Sequence, residues 1–221
     1  MRRDPPTVLL LLFSLFVRDE GTEATFCGPD CEGKMEGDKV RDPSNCLQYY
    51  YCSDPEGNGH MVASDEPIIC PDGSYFNAAP HVMDCDAIPV GTDYCVGLCN
   101  PCRLECSEPG ILIADPMDCN AYKICLDEQP ALHVSCPNEA PYFDYQANLC
   151  SDSPEYCYDL CDTCQTYCTS TGKVFDPQDC NGYYLCDPPI LTHFSCPDEE
   201  VFNVETLVCE ETSEKNCTSL C

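Results

Sequence analysis

Tryptophan is absent from this 221-residue chain, and basic residues are scarce. Lysine and arginine together number 10 against 39 aspartates and glutamates, which gives a formal net charge of −29. Nucleic acids and anionic membrane surfaces repel such a chain, so we expect neither as a partner. Any stacking of rings on a ligand must come from tyrosine or phenylalanine, because no indole is available.

Long apolar runs are nearly absent as well. The exception, residues 8–17, follows two arginines and is too short to cross a bilayer. This pattern is typical of a signal peptide, which we predict over residues 1–24. We therefore predict a secreted, extracellular protein with no membrane segment.

The sequence also lacks a recognisable pattern of catalytic residues. No nucleophile, base and acid occur in a familiar pattern, and His133 and His193 lack a second histidine at ligand spacing. We therefore expect no catalytic residue, no metal site, no cofactor and no enzymatic activity.

Cysteine, in contrast, is abundant. Its 24 copies make up about a tenth of the chain, as in secreted disulfide scaffolds. They fall into three sets of eight, which define repeats at residues 27–99, 102–161 and 164–221. Each repeat is too small to bury a large core and must depend on its disulfides. The two-residue linkers between repeats predict close packing of neighbours.

One segment recurs in each repeat, at residues 42–52, 115–125 and 176–186. It reads Asp-Pro, two residues, Cys, two residues, Tyr, two residues, Cys, and it predicts a turn followed by a strand. A second recurring segment runs from Cys-Pro to Phe-Asn or Phe-Asp and predicts a turn and a hairpin. No helix of useful length is expected. The first repeat alone carries a long insertion, residues 53–69, which predicts a flexible loop.

These cysteine spacings, with the Tyr, the Cys-Pro and the Phe-Asn or Phe-Asp, resemble the type-2 chitin-binding, or peritrophin-A, domain family. The resemblance covers all three repeats. The tandem arrangement of three modules is similar to that of obstructor-like and peritrophic-matrix proteins. It implies small all-β, disulfide-rich modules in three tandem copies, each with a three-stranded sheet and a two-stranded hairpin. Chitin would bind on an aromatic surface near the hairpin.

The family has six cysteines in each domain, whereas each repeat here has eight. By analogy the bonds in the first repeat are Cys31–Cys52, Cys46–Cys95 and Cys70–Cys85, which leaves Cys27–Cys99. Cys27–Cys52, Cys46–Cys99 and Cys31–Cys95 remain open as alternatives. The same analogy in the other two repeats gives Cys106–Cys125, Cys119–Cys157, Cys136–Cys150 and Cys102–Cys161, then Cys168–Cys186, Cys180–Cys217, Cys196–Cys209 and Cys164–Cys221.

Chitin is neutral, so rings and amide hydrogen bonds must supply the affinity. Lys123 occupies the position of Tyr50 and Tyr184, and an unpaired lysine is almost never buried. This predicts that Tyr50 and Tyr184 are exposed ring platforms. Predicted contacts nearer the hairpin are Tyr75, Tyr142, Asn77, Asp144 and Asn203. We interpret Tyr49, Tyr122 and Tyr183, and the phenylalanines at 76, 143 and 202, as core residues.

The leading hypothesis is non-catalytic binding of chitin in an extracellular matrix such as cuticle, peritrophic matrix or egg envelope. Other matrix proteins would be further partners. One alternative is a secreted protease inhibitor that presents residues 53–69 as its reactive loop. Another is an acidic calcium- or mineral-associated matrix protein, suggested by the net charge of −29.

Overall fold

The computed structural model describes residues 26–91, 93–127, 129–211 and 221. The predicted signal peptide and Cys217 lie outside these ranges. Over the described residues every regular element is a β-strand, which confirms the all-β prediction. In this part of the chain no helix is long and apolar enough to span a membrane.

Each repeat consists of a sheet followed by a two-stranded antiparallel hairpin. In the first repeat the strands are β1 Lys39–Arg41, β2 Gln48–Ser53, β3 Val62–Ala63, β4 Ile68–Ile69, β5 Ser74–Asn77 and β6 Asp84–Ala87. The second repeat contains β7 Leu112–Ala114, β8 Ala121–Leu126, β9 Gln129–Ser135, β10 Tyr142–Asp144 and β11 Leu149–Ser151. The third contains β12 Gly172–Phe175, β13 Gly182–Asp187, β14 Ile190–Ser195, β15 Glu200–Asn203 and β16 Val208–Glu211.

The predicted Tyr-containing strand is the central strand of each sheet. β2, β8 and β13 each pair antiparallel with strands on both sides. Successive side chains of a strand point to opposite faces. The tyrosine of the recurring segment faces the hairpin, and the residue after it faces the other side of the sheet.

The insertion in the first repeat differs from the predicted open loop. It supplies two short strands, β3 and β4, which both pair with β2, so this sheet has four strands instead of three. The connection before β3 is closed by Asp54, whose carboxylate accepts hydrogen bonds from the amides of Asn58 and Gly59. Strand pairing and this turn take up much of the length that the sequence alone presents as a loop.

Disulfides link the strands within each repeat, and no free cysteine occurs among the described residues. The four bonds of the first repeat are Cys27–Cys99, Cys31–Cys52, Cys46–Cys95 and Cys70–Cys85. The second repeat has Cys102–Cys161, Cys106–Cys125, Cys119–Cys157 and Cys136–Cys150. The third has Cys164–Cys221, Cys168–Cys186 and Cys196–Cys209. Cys180 is also disulfide-bonded. All eleven described pairs join the partners that the family resemblance implies.

Neighbouring repeats are in direct contact. Phe26, next to the first cysteine, stacks on Tyr145 of the second repeat with ring centroids 5.1 Å apart. It also meets the edge of Tyr158, whose hydroxyl donates to the carbonyl of Cys27 at 3.4 Å. At the linkers, Asn100 and Asp162 each accept a hydrogen bond from the first cysteine amide of the next repeat. These contacts agree with the close packing expected from two-residue linkers.

Candidate functional site

A stacked Tyr–Phe pair joins the sheet to the hairpin in every repeat. Tyr49 and Phe76 lie with ring centroids 5.2 Å apart, Tyr122 and Phe143 4.9 Å apart, and Tyr183 and Phe202 4.9 Å apart. The three phenylalanines are buried. Their interpretation as core residues is confirmed, and the pairs form the framework on which any outer surface is built.

The aspartate of each Asp-Pro turn is buried beside this framework. Asp42, Asp115 and Asp176 are only 4%, 9% and 8% exposed. In each case one carboxylate oxygen accepts hydrogen bonds from backbone amides of the turn. The Oδ1 of Asp42, for example, accepts one from the amide of Ser44. The carboxylate therefore shapes the turn, as its sequence context predicts.

The other oxygen of each carboxylate meets a polar side chain of the sheet. The partner is Gln48 Nε2 at 2.6 Å, His133 Nδ1 at 3.1 Å and His193 Nε2 at 3.2 Å in the three repeats. Sequence reasoning missed these contacts, although the histidines occupy equivalent positions three residues before a cysteine. That spacing is the signal that could have found them.

Tyr50, Lys123 and Tyr184 are half-buried next to the same carboxylates. Lys123 Nζ lies 3.6 Å from Asp115, so this lysine is paired and its position is not an open surface. Tyr184 meets the ring of His193 edge-on with centroids 5.1 Å apart. Burial, followed by the charge of Asp42 and a hydrogen bond to it, raises the pKa of Tyr50 to about 12. Tyr50 and Tyr184 are therefore half-buried beside a carboxylate, and neither is the fully exposed platform expected at this position.

Asn77, Asp144 and Asn203 lie at the end of the first hairpin strand. Their side-chain oxygens accept backbone amides of the following turn, as Asp144 does from Gln146 and Ala147. The amide nitrogens of Asn77 and Asn203 donate to carboxylates on the opposite strand, Asp86 and Glu210. These hydrogen bonds close the turn, which is the local role that the three side chains have in the structure.

Tyr75 and Tyr142 precede the buried phenylalanine and point away from the core, as predicted. Both are half-buried on the outer face of the hairpin. Tyr75 meets Tyr94 edge-on with centroids 5.2 Å apart. In the third repeat Val201 takes this place, so that hairpin presents no ring there.

Among the described residues, the most exposed rings lie at positions that sequence reasoning did not select. They are Tyr51, Phe175 and Phe194, which are 38%, 40% and 41% exposed. Phe175 and Phe194 flank Tyr183 across the third sheet, and Phe194 stacks on it with centroids 5.6 Å apart. Tyr51 is one position beyond the predicted Tyr50, on the face of Tyr49. Strand alternation alone does not tell which of two adjacent tyrosines is covered.

The predicted residues thus do not form one surface. Tyr50 packs against Cys31, Val40 and Cys52 on the side of the sheet away from the hairpin. Tyr75 lies on the outer side of the hairpin, beyond Phe76. Rings on the outer surface include Tyr75 and Tyr142 from the predicted set, together with Tyr51, Phe175 and Phe194.

Comparison with known proteins adds the family. Over 120 residues, half of this chain, the sequence is 31% identical to Peritrophin-44 of Lucilia cuprina. The match covers 32% of that protein, so the chain spans about a third of the length of this curated relative. The family model described as "Chitin binding Peritrophin-A domain" matches residues 31–88 and 163–217. These two regions make up half of the chain, and each holds a sheet followed by a two-stranded hairpin that is closed by a disulfide, so the chain belongs to the chitin-binding peritrophin-A domain family.

Proposed function

We propose that this chain binds chitin without catalysing a reaction, and that all three repeats take part. The protein acts in an extracellular chitinous matrix, where cuticle, peritrophic matrix and egg envelope are the candidates. The density of disulfides is typical of a secreted protein, which supports this location. Other matrix proteins are further partners in this proposal.

The observation that carries the proposal is the threefold recurrence of one unit. The family model matches in the first and third repeats. The second repeat also has a sheet followed by a hairpin, the four disulfide pairings of the first repeat and the equivalent stacked pair, Tyr122 on Phe143. A shared framework supports a shared ligand for all three.

Three weak contacts suit a repeating polymer. Each exposed ring that stacks on a sugar face contributes on the order of 1 kcal/mol, so one small repeat binds weakly. Linking three repeats to the same fibril raises the overall affinity by effective concentration, by ~10² or more where the geometry allows simultaneous contact. The tandem copies then have a purpose that requires no catalytic group.

The contacts are the rings that the fold leaves accessible. We assign Tyr51 and Tyr75 in the first repeat, Tyr142 in the second, and Phe175 and Phe194 in the third. These rings do not occupy equivalent positions, since Val201 replaces the hairpin tyrosine in the third repeat. The exposed pair on the third sheet takes over that role, so the repeats present different faces to the polymer.

Strand pairing within the insertion of the first repeat counts against the inhibitor alternative. A reactive loop must be extended and accessible, whereas residues 62–63 and 68–69 of the insertion are paired in the sheet. The connection before β3 is exposed at residues 55–60, and Asp54 holds it in a turn.

A bead assay tests the function. Oxidised, secreted protein is incubated with chitin, chitosan and cellulose beads, and the bound fraction is measured by gel densitometry. We expect retention on chitin and little on cellulose, which lacks acetamido groups. Equal depletion by all three materials, or none by chitin, would contradict the proposal.

A further inference from the structure

A cleft of about 340 Å³ opens where the three repeats meet. The first repeat contributes Asp42, Gln48 and Tyr50 to its walls. The second contributes Leu160, and the third contributes Gln165 and Tyr167. The volume falls within the range of about 300–1,000 Å³ that is usual for small-molecule sites.

Contacts between the repeats hold the walls of this cleft in place. The stack of Phe26 on Tyr145 and the bond from Tyr158 to the carbonyl of Cys27 fix the first repeat against the second. The hydroxyl of Tyr167 accepts the amide of Asp162 at 3.2 Å and donates to the carbonyl of Leu160 at 3.5 Å. The cleft is therefore built by these contacts and is absent from any single repeat.

The charges of the lining count against an anionic ligand. No lysine, arginine or histidine is among the described residues that line the cleft, so an anion finds no counter-charge. The Asp42 carboxylate already accepts hydrogen bonds from Ser44, Asn45 and Gln48. Asp162 accepts the amide of Cys164. The buried Asp42 carboxylate is thus engaged within the first repeat, and the single exposed carboxylate of Asp162 does not by itself make a cation site.

The remaining groups suit a neutral, hydrogen-bonding ligand with an apolar side. Gln165 extends an exposed carboxamide, which can donate and accept. Burial raises the pKa of Tyr50 and Tyr167, so both phenols stay protonated. Four proline rings and Leu160 complete the wall with apolar surface, which can pack against the carbon face of a pyranose.

We propose that this cleft binds one N-acetylated hexosamine unit of a chitin chain, as a site separate from the exposed rings. The choice of an acetamido sugar among neutral ligands rests on the proposed function. Gln165 hydrogen-bonds the acetamido group, while Tyr50 and Tyr167 flank the ring of the sugar.

Titration with N-acetylglucosamine tests the cleft. The full-length, oxidised protein is labelled at tyrosine, and the signals of Tyr50 and Tyr167 are assigned by single replacement with phenylalanine. We expect these two signals to shift with added sugar while the signal of Tyr122, whose ring is stacked on Phe143, stays unchanged. Gln165→Ala should weaken binding about fivefold, the usual effect of one lost hydrogen bond. Gln129→Ala, an exposed glutamine on β9, is the matched control and should bind as wild type.

Two outcomes would overturn the inference: no shift at Tyr50 and Tyr167, or an unchanged dissociation constant in Gln165→Ala. Bead binding separates this result from the proposed function, because Gln165→Ala keeps all the exposed rings and should still bind chitin beads. If chitin beads retain the wild type but the Tyr50 and Tyr167 signals do not shift with added sugar, only the cleft proposal is contradicted. If the wild type fails to bind the beads, the proposed function is contradicted.

Discussion

At the scale of single residues, one backbone position shows how different sequences satisfy the same turn. Gly73 follows Cys-Pro-Asp in the first repeat with φ of 77°, and Glu199 holds the same place in the third with φ of 70°. The left-handed region costs a residue with a Cβ about 1–2 kcal/mol, whereas glycine enters it freely. The turn is thus maintained in the third repeat at some local cost.

We therefore expect Glu199→Gly to stabilise the third hairpin. The gain is ~0.5–1 kcal/mol, since relief of the left-handed strain exceeds the added entropy of an unfolded glycine. The readout is hydrogen exchange of the Phe202 amide, which donates to the carbonyl of Cys180 at 2.9 Å. Gly73→Glu is the reciprocal variant and should accelerate exchange at Phe76. Slower exchange at Phe76 in that variant would show that strain is not the deciding effect.

At the scale of elements, the buried Asp-Pro aspartate connects the first two strands of each sheet. The Asp42 carboxylate accepts hydrogen bonds from the backbone amides of Ser44 and Asn45 and from the side-chain amide of Gln48. Removing such a buried acceptor leaves several donors unpaired, which costs about 1–3 kcal/mol.

Asp42→Ala should lower the free energy of unfolding of the oxidised protein by that amount. Denaturant titration followed by circular dichroism measures the change, with the disulfides intact. Asp65→Ala removes an exposed aspartate of the same repeat and should leave the transition where it is. A similar shift in both variants would mean that loss of charge, and not loss of the buried acceptor, explains the effect.

The elements themselves were largely predictable from the sequence. Cysteine spacing, the Asp-Pro turn and the Cys-Pro turn predicted the central strand and the hairpin, because these are local patterns. The choice between Tyr50 and Tyr51 as the exposed ring was not predictable. It depends on which face of the sheet the segment around Cys31 and the hairpin around Phe76 cover, and both contacts are distant in sequence.

At the scale of the whole molecule, the short linkers hold the three small repeats together with the contacts of Phe26 to the second repeat and of Tyr167 to Leu160 and Asp162. The sequence predicted that the repeats pack closely, but it did not predict the cleft beside Tyr50 and Tyr167 that this packing forms. Contacts between repeats leave no local sequence pattern. The chain has a net charge of −29, but a neutral polymer gains no electrostatic attraction from it. Binding through rings should therefore depend little on salt.

The most direct test of ring-mediated chitin binding is a depletion isotherm of the full-length, oxidised protein on chitin beads. The variant combines Tyr75→Ala, Tyr142→Ala and Phe194→Ala, one ring from each repeat. The control combines Val62→Ala, Leu132→Ala and Leu185→Ala, which removes one exposed aliphatic side chain from a strand of each repeat. An unchanged disulfide map shows that both variants are folded.

We predict that the ring variant binds roughly a hundredfold more weakly than wild type, from ~1 kcal/mol for each of the rings removed. The aliphatic control should bind as wild type, and raising the salt concentration should release neither wild type nor control. Equal affinity of the ring variant and wild type, or release of wild type by salt, would contradict this account.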